Sequence, residues 1–195
     1  MKSIAITPPE VDPRRIVALA RPVSLLLGEA GWDRVHLRFP EADTDAVAAL
    51  INLIPRDLHP GLSLHDHQDL AEKYGLGVHL TGCSNRAIAF RPPTLSASCH
   101  SSADVVNVRP LGLDYLTISP IFDSISKVGY KSAAFSDTDY RTMLAAGIPL
   151  IALGGISLET IPLLPQGVFA GYAVLGALPW DADLDTFHAA ALRFR

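Results

Sequence analysis

The chain has 195 residues, with 20 acidic and 16 basic side chains and a formal net charge of −4. A pI near 5.9 without a basic block argues against a nucleic-acid surface, and 49% apolar with only 18% charged residues argues against a disordered chain. The mean hydropathy of +0.26 is high for a soluble protein. Either a membrane segment is present, or an unusual share of the chain lies inside a fold.

Taken in chain order, short apolar runs of strand character alternate with longer amphipathic ones. The predicted strands are Ile4–Thr7, Arg34–Arg38, Leu62–His65, Gly77–Leu80, Leu95–His100, Tyr115–Ser119, Leu150–Leu153 and Gly171–Leu175. Helical patterns separate most of them: Arg14 to Glu29, with an expected break at Pro22, then Asp43–Leu53, Asp66–Tyr74, Ser101–Val108, Thr138–Ala146, Ser157–Leu164 and Asp181–Arg193. The unit after the fourth strand is the weakest, because Ser84 to Arg91 is short and runs into Pro92-Pro93. No repeat, low-complexity tract or linker interrupts the chain, so residues 1–195 read as one domain.

The uncharged run Thr160 to Trp180 has the length of a membrane span, but Pro162, Pro165, Gly167, Gly171, Gly176 and Pro179 divide it. A buried parallel strand accounts for Gly167 to Leu178 better. Ile4-Ala5-Ile6 is too short for the apolar core of a signal peptide. Cys83 and Cys99 match neither a zinc spacing nor a disulfide framework, which makes a reducing cytoplasm the expected location.

Strands alternating with helices predict a parallel sheet, and eight such units favour an α/β fold of one compact (β/α)8 TIM barrel. An open doubly wound sheet is the competing architecture, but no strand leads into G-x-G-x-x-G. In a barrel, chemistry sits at the C-terminal ends of the strands. His36, His65, His79 and His100 fall at or near the ends of strands two to five and mark one rim of a pocket.

Alternation along a strand places His36 and Arg38 on one face, and Ser96, Ser98 and His100 together on another with Cys99 opposed. Cys99 therefore reads as packing. Ser98 with His100 is the better chemical pair, though no carboxylate completes a hydrolase triad. His100 suits a general base near neutral pH. Gly154-Gly155 after strand seven, and Gly176-Ala177 after strand eight, stand where barrels hold phosphate with bare backbone amides. The long segment after strand six offers Ser124, Ser126 and Lys127 to an anionic substrate.

These pieces, in this order, resemble the thiamine-phosphate synthase/TenI family over nearly the whole chain. The resemblance rests on His36-Leu-Arg38, His65-Asp66 ahead of Asp69-Leu-Ala71, Gly77-Val-His79-Leu80, Ser98-Cys-His100-Ser101, Asp114-Tyr115, Ser119-Pro-Ile-Phe122, Ser126-Lys127, Ala152-Leu-Gly-Gly-Ile156 and Gly171-Tyr-Ala-Val-Leu-Gly-Ala177. It implies a barrel that binds a thiazole phosphate, with the phosphate on Gly154, Gly155, Gly176 and Ala177. It also suggests self-association into a homo-oligomer.

The departures from the family pattern separate two activities. Where synthases carry Q-x-R-E-K, this chain has His36 for the Gln, keeps Arg38, and has Phe39-Pro40 for Glu-Lys. Asn-Asp becomes His65-Asp66, and the later Q-E-D run has no counterpart in Thr81-Gly-Cys-Ser84. Asp66 alone remains as a metal carboxylate if Mg2+ is used at all; otherwise no cofactor is expected. The favoured expectation is a TenI-like thiazole tautomerase, with His100 moving the proton and Arg38 or Lys127 holding a carboxylate. His36, His65, His79 and Ser98 then line the substrate pocket. The alternatives are a synthase that also takes a pyrimidine diphosphate, a metal-dependent hydrolase suggested by His65-x-His67, and a ligand-binding barrel without chemistry. No nucleic acid or membrane partner is expected.

Overall fold

The computed structural model describes residues 1–81, 88–123 and 135–195. Eight strands close into a parallel barrel in sequence order: β1 (Lys2–Ile6), β2 (Arg34–Leu37), β3 (Leu62–Leu64), β4 (Gly77–Leu80), β5 (Leu95–Cys99), β6 (Tyr115–Ile118), β7 (Leu150–Ala152) and β8 (Gly171–Val174). Each pairs with the next, and β8 returns to β1 through Lys2 opposite Gly171. All eight predicted strands are present, within one or two residues at each end.

The outer ring contains α1 (Pro13–Ala18), α2 (Ala20–Gly28), α3 (Thr44–Leu53), α4 (Gln68–Tyr74), α5 (Ser102–Val108), α6 (Asp137–Leu144) and α7 (Leu184–Leu192). Five of these start on a side-chain cap. Asp12, Asp43, Ser101, Ser136 and Asp183 each accept a backbone N–H of the first turn, a contact worth about 1 kcal/mol. Two helical expectations need correction. The break expected at Pro22 falls at Leu19, and Pro22 sits in the first turn of α2, where its missing N–H would have had no intrahelical partner. The helix expected over Ser157–Leu164 is only a 3-10 turn at Ile161–Leu163, because Pro162 and Pro165 leave no uninterrupted run of donors. Among the described residues, no helix is long and apolar enough to cross a membrane.

Alternation on each strand builds two layers. Val35, Leu37, Leu64, Val78, Ala97 and Leu116 point outward and pack under the helices with Trp32, Phe39 and Phe187. Cys99 lies in this outer layer, fully buried, as the alternation predicts. The inward positions divide the barrel in two. Ile4, Ile6, Ile151 and Ala173 on β1, β7 and β8 form an apolar wall that also contacts Tyr115. The remaining inward positions, on β2 to β6, are mostly polar, although branched aliphatic side chains usually fill such an interior.

The polar half begins at its base with Arg34. Its guanidinium donates to the Leu62 carbonyl (3.0 Å), to Ser63 Oγ (3.1 Å) and to Thr94 Oγ1 (3.1 Å). Gly77 makes room for it, since a Cβ there would lie 2.5 Å from Ser63 Oγ and 3.1 Å from both the Arg34 guanidinium and the Leu62 carbonyl. Gly77→Ala is therefore expected to destabilise the protein by about 1–3 kcal/mol through overpacking, read as a lower urea midpoint at unchanged slope. An unchanged midpoint would mean that the polar base yields freely.

Candidate functional site

Above Arg34, three imidazoles fill the polar half of the barrel. His36, His65 and His79 come from β2, the end of β3 and β4, and are 0%, 8% and 1% exposed. His36 Nδ1 lies 2.8 Å from His65 Nε2, and His36 Nε2 lies 2.5 Å from the Tyr115 hydroxyl. His79 is held from both sides, Nδ1 2.8 Å from Ser96 Oγ and Nε2 2.8 Å from Ser98 Oγ. The rings stack against one another, with centroids 4.3 Å apart for His65 and His79 and 4.7 Å apart for His36 and His79. These three side chains form the floor of the pocket rather than its rim.

Burial dominates their electrostatics. It pushes His36 well below the ordinary histidine range, with the neighbouring His79, His65 and Arg34 acting in the same direction. His65 is pushed well below by burial first, then by His79 and Arg38. Burial also raises the Tyr115 phenol. His36 and His65 are thus neutral at pH 7, each with one N–H and one lone pair.

Hydrogen-bond direction fixes the tautomer of His79. Thr117 donates to Ser98 Oγ (3.2 Å), which lies 2.8 Å from His79 Nε2. The Ser96 hydroxyl is directed at the Val78 carbonyl (3.5 Å) and receives the His79 Nδ1 proton. His65 Nδ1 is different: it is a buried ring nitrogen with no hydrogen-bond partner among the described residues.

His100 stands at the rim, exposed, just before Ser101, the cap of α5. Its backbone N–H donates to Asp104 Oδ2 (2.9 Å). Its Nδ1 lies 2.9 Å from the Ser119 carbonyl and 3.3 Å from Ser119 Oγ. A carbonyl only accepts, so Nδ1 carries the proton of the neutral ring and Nε2 keeps the lone pair. The expected Ser98–His100 pair does not form: Ser98 pairs with His79, and His100 with Ser119. The β4–β5 register sets His79 opposite Ser96, within reach of Ser98 two residues on, and the β5–β6 register, with Cys99 opposite Ile118, brings His100 beside Ser119.

The expected His65-x-His67 pair also separates. His67 turns outward at φ 55°, with Nδ1 3.1 Å from Thr44 Oγ1 and Nε2 3.3 Å from the Phe39 carbonyl. It clamps the loop after β2 rather than joining the floor. Arg38 is half-buried at the end of β2, and its guanidinium pairs with no carboxylate among the described residues. Ser124, Ser126 and Lys127 lie outside the described residues.

On the opposite rim, the loops after β6 and β7 are zipped together. Ile121 N–H donates to the Leu153 carbonyl (3.0 Å), and Phe122 N–H to the Gly154 carbonyl (3.1 Å). Gly154 and Gly155 take φ of 90° and 64°, and a Cβ on Gly155 would lie 2.4 Å from the Asp123 carbonyl. These glycines are thus required by the loop contact itself, whatever they bind. Gly176 and Ala177 follow β8, whose strand pairs with β7, so both glycine loops sit side by side. Sequence reading missed Arg34, Tyr115 and Thr117, although the period-two pattern already places all three on inward faces.

Asp66, half-exposed after β3, is the remaining candidate for Mg2+. Among the described residues, the His36, His65 and His79 trio is the group of His, Cys, Asp and Glu side chains close enough to share an ion, and Asp66 is not in it. That donor set is nitrogen, whereas Mg2+ demands oxygen. If Mg2+ is bound, Asp66 rather than the histidine trio would supply its protein oxygen.

The buried neutral histidines make stability pH-dependent. Their folded pKa values lie below that of the unfolded chain, about 6.5, so below that pH the unfolded chain takes up protons that the folded barrel refuses. Stability is full above that pH and falls as pH drops, by up to about 1.4 kcal/mol per unit for each histidine. Urea unfolding of chelator-treated protein between about pH 7 and 5 measures the slope, and His36→Gln is expected to make it shallower. An equal slope in the variant would assign the loss to other groups.

The same frame occurs in proteins with known names. A thiamine phosphate pyrophosphorylase from Bacteroides thetaiotaomicron superposes with a TM-score of 0.73 at 29% identity, covering 100% of this chain and 93% of that one. A thiamine phosphate pyrophosphorylase from Pyrococcus furiosus shares the fold at the same TM-score and 19% identity. The thiamine-phosphate synthase of Methylobacillus flagellatus is 29% identical over 191 residues, 93% of this chain and 88% of that protein. A match to the Levilactobacillus brevis thiamine-phosphate synthase, 27% identical over 121 residues, spans 56% of that protein. The family described as Thiamine monophosphate synthase matches residues 4–178, from the first inward residue of β1 to the loop beyond β8, so the site lies within the matched span and the chain belongs to that family.

Proposed function

We propose that the protein joins a pyrimidine diphosphate to a thiazole phosphate with release of diphosphate. The names of the relatives favour this synthase reading over the tautomerase expected from the sequence. The observation that carries it is the two-sided pocket mouth. One side presents the adjoining loops of Gly154, Gly155, Gly176 and Ala177, whose amides would take the thiazole phosphate. The other side presents Arg38, without a carboxylate partner among the described residues, above a floor of neutral polar groups.

The chemistry asked of these residues is mainly positioning. One bond to the leaving diphosphate breaks, one bond to the thiazole forms, and diphosphate departs with the bonding electron pair. Arg38 would meet the negative charge on the departing group, with Lys127, Ser124 and Ser126 offered by the loop after β6. Ser98 and His65 Nδ1 would face the heterocyclic rings from below and offer hydrogen bonds to ring nitrogens and amino groups, while His36 and His79, engaged on both nitrogens, hold that floor in place. Mg2+, if bound, would be held by Asp66 and the substrate's own phosphate oxygens, where it would help neutralise the departing diphosphate.

A second reading, proton transfer that aromatises a carboxythiazole phosphate, has its own observation. The Ser119 carbonyl directs the lone pair of His100 away from Nδ1 and onto Nε2, as a general base requires.

Purified protein given both substrates is expected to release diphosphate only when both are present. Arg38→Ala is expected to lower kcat/KM by about tenfold or more, the loss of one charge-assisted contact. Absence of diphosphate release sinks the synthase reading. For the second reading, His100→Ala is expected to slow tautomerisation by about 10²- to 10⁴-fold, and an unchanged rate removes His100 from proton transfer.

A further inference from the structure

We infer that His36, His65 and His79 form a tris-histidine site for a borderline transition-metal ion such as Zn2+ inside the barrel. The inference stands on the geometry of the three rings and does not depend on which reaction the pocket performs.

The donor atoms come from three consecutive parallel strands and lie within 4.8 Å of one another. Tetrahedral zinc with bonds of about 2.0–2.1 Å sets its nitrogens about 3.3 Å apart. The closest pair here, His36 Nδ1 and His65 Nε2 at 2.8 Å, needs to open by roughly half an ångström. The rings are deeply buried, and that burial keeps His36 and His65 neutral, which is the metal-binding form of imidazole.

The surroundings match what outer partners do for metal ligands. A ligating histidine donates its second ring N–H to an oxygen that fixes the ring. His79 donates Nδ1–H toward Ser96 Oγ, which leaves Nε2 as its ligand atom. His36 places Nε2 against the Tyr115 oxygen, which leaves Nδ1 for the ion. Metal then replaces the His36–His65 and His79–Ser98 hydrogen bonds.

The independent observation is His65 Nδ1, a buried nitrogen that nothing described satisfies. Leaving such a group unmet costs about 1–3 kcal/mol, a cost the ion removes when the His65 ring turns so that Nδ1 rather than Nε2 faces it. Whichever way the ring is turned, His65 has a nitrogen to give.

The chemistry of the set selects the ion. Three imidazoles without a carboxylate suit Zn2+, Co2+, Ni2+ or Cu2+ and reject Mg2+ and Ca2+. Arg34 and Arg38 act on the same rings and disfavour a bare dication. An anion in the fourth position offsets that repulsion, and three protein ligands leave this position open. Inorganic phosphate is therefore expected to tighten metal binding.

The test uses chelator-stripped full-length protein titrated with Co2+ and Zn2+. Wild type is expected to bind one equivalent, with the visible d–d bands of tetrahedral Co2+ that Zn2+ abolishes and excess Mg2+ leaves unchanged. His36→Gln, His65→Ala and His79→Gln are each expected to weaken Zn2+ by at least about tenfold, whereas His67→Gln binds as wild type does. Imidazole 15N shifts of wild type on Zn2+ addition identify the ligating rings without any variant. No stoichiometric uptake by wild type overturns the inference, as does binding that survives loss of these rings or shifts confined to other histidines. Diphosphate release is a separate readout, so the synthase reading and the metal site fail independently.

Discussion

The structure depends on satisfying a polar half-core inside a closed barrel. Eight strands with their inward faces together exclude bulk water, and every donor and acceptor placed there needs a partner from the protein or a ligand. Arg34 is met by a carbonyl and two hydroxyls, and His79 by two serines. Thr117 passes its proton to Ser98. Each side chain in this set is correct only while its neighbours hold position, so the network couples β2 through β6 more tightly than an aliphatic filling would. The apolar wall of β1, β7 and β8 carries no such mutual dependence.

This division also separates tasks around the pocket. The apolar wall belongs to the strands that lead into the Gly154-Gly155 and Gly176-Ala177 loops, and the polar side to the strands that lead into Arg38 and His100. Family membership and the pocket floor are different statements about the molecule. The first comes with the barrel and its loops, and the second comes from the inward positions of β2 to β5, where His36, Ser63, His79, Ser96 and Ser98 stand.

The fold was legible because parallel strands buried between two layers leave a strong local mark. Gly77-Val-His79-Leu80 and Leu95–His100 read as strands, and the alternation within the second assigned Cys99 to packing. Helix starts were nearly as legible: Asp43 and Ser101, where two predicted helices begin, are the caps of α3 and α5, whereas the cap of α7 is Asp183, two residues inside the predicted start at Asp181. The errors are also local in origin. Pro22 was read as a break because a proline's position within a helix is unknown until the helix start is known. Ser157–Leu164 was read as a helix because its apolar spacing outweighed two prolines. At the site, His100 was found at its rim position, but its partner was misjudged. The partner, Ser119, comes from the next strand, and only the stagger of β5 against β6 determines which residues meet.

What the sequence by itself determined is the order of elements, the face on which each strand residue lies, and membership in a family. These follow from period-two alternation and short-range capping, which act over a few residues. Only the tertiary structure decided that His36, His65 and His79 share one layer, that Tyr115 closes on His36 from 79 residues away, and that His67 turns out of the pocket. Barrel closure brings those residues together through strand stagger and ring orientation, and neither quantity is written in the local pattern of any one strand.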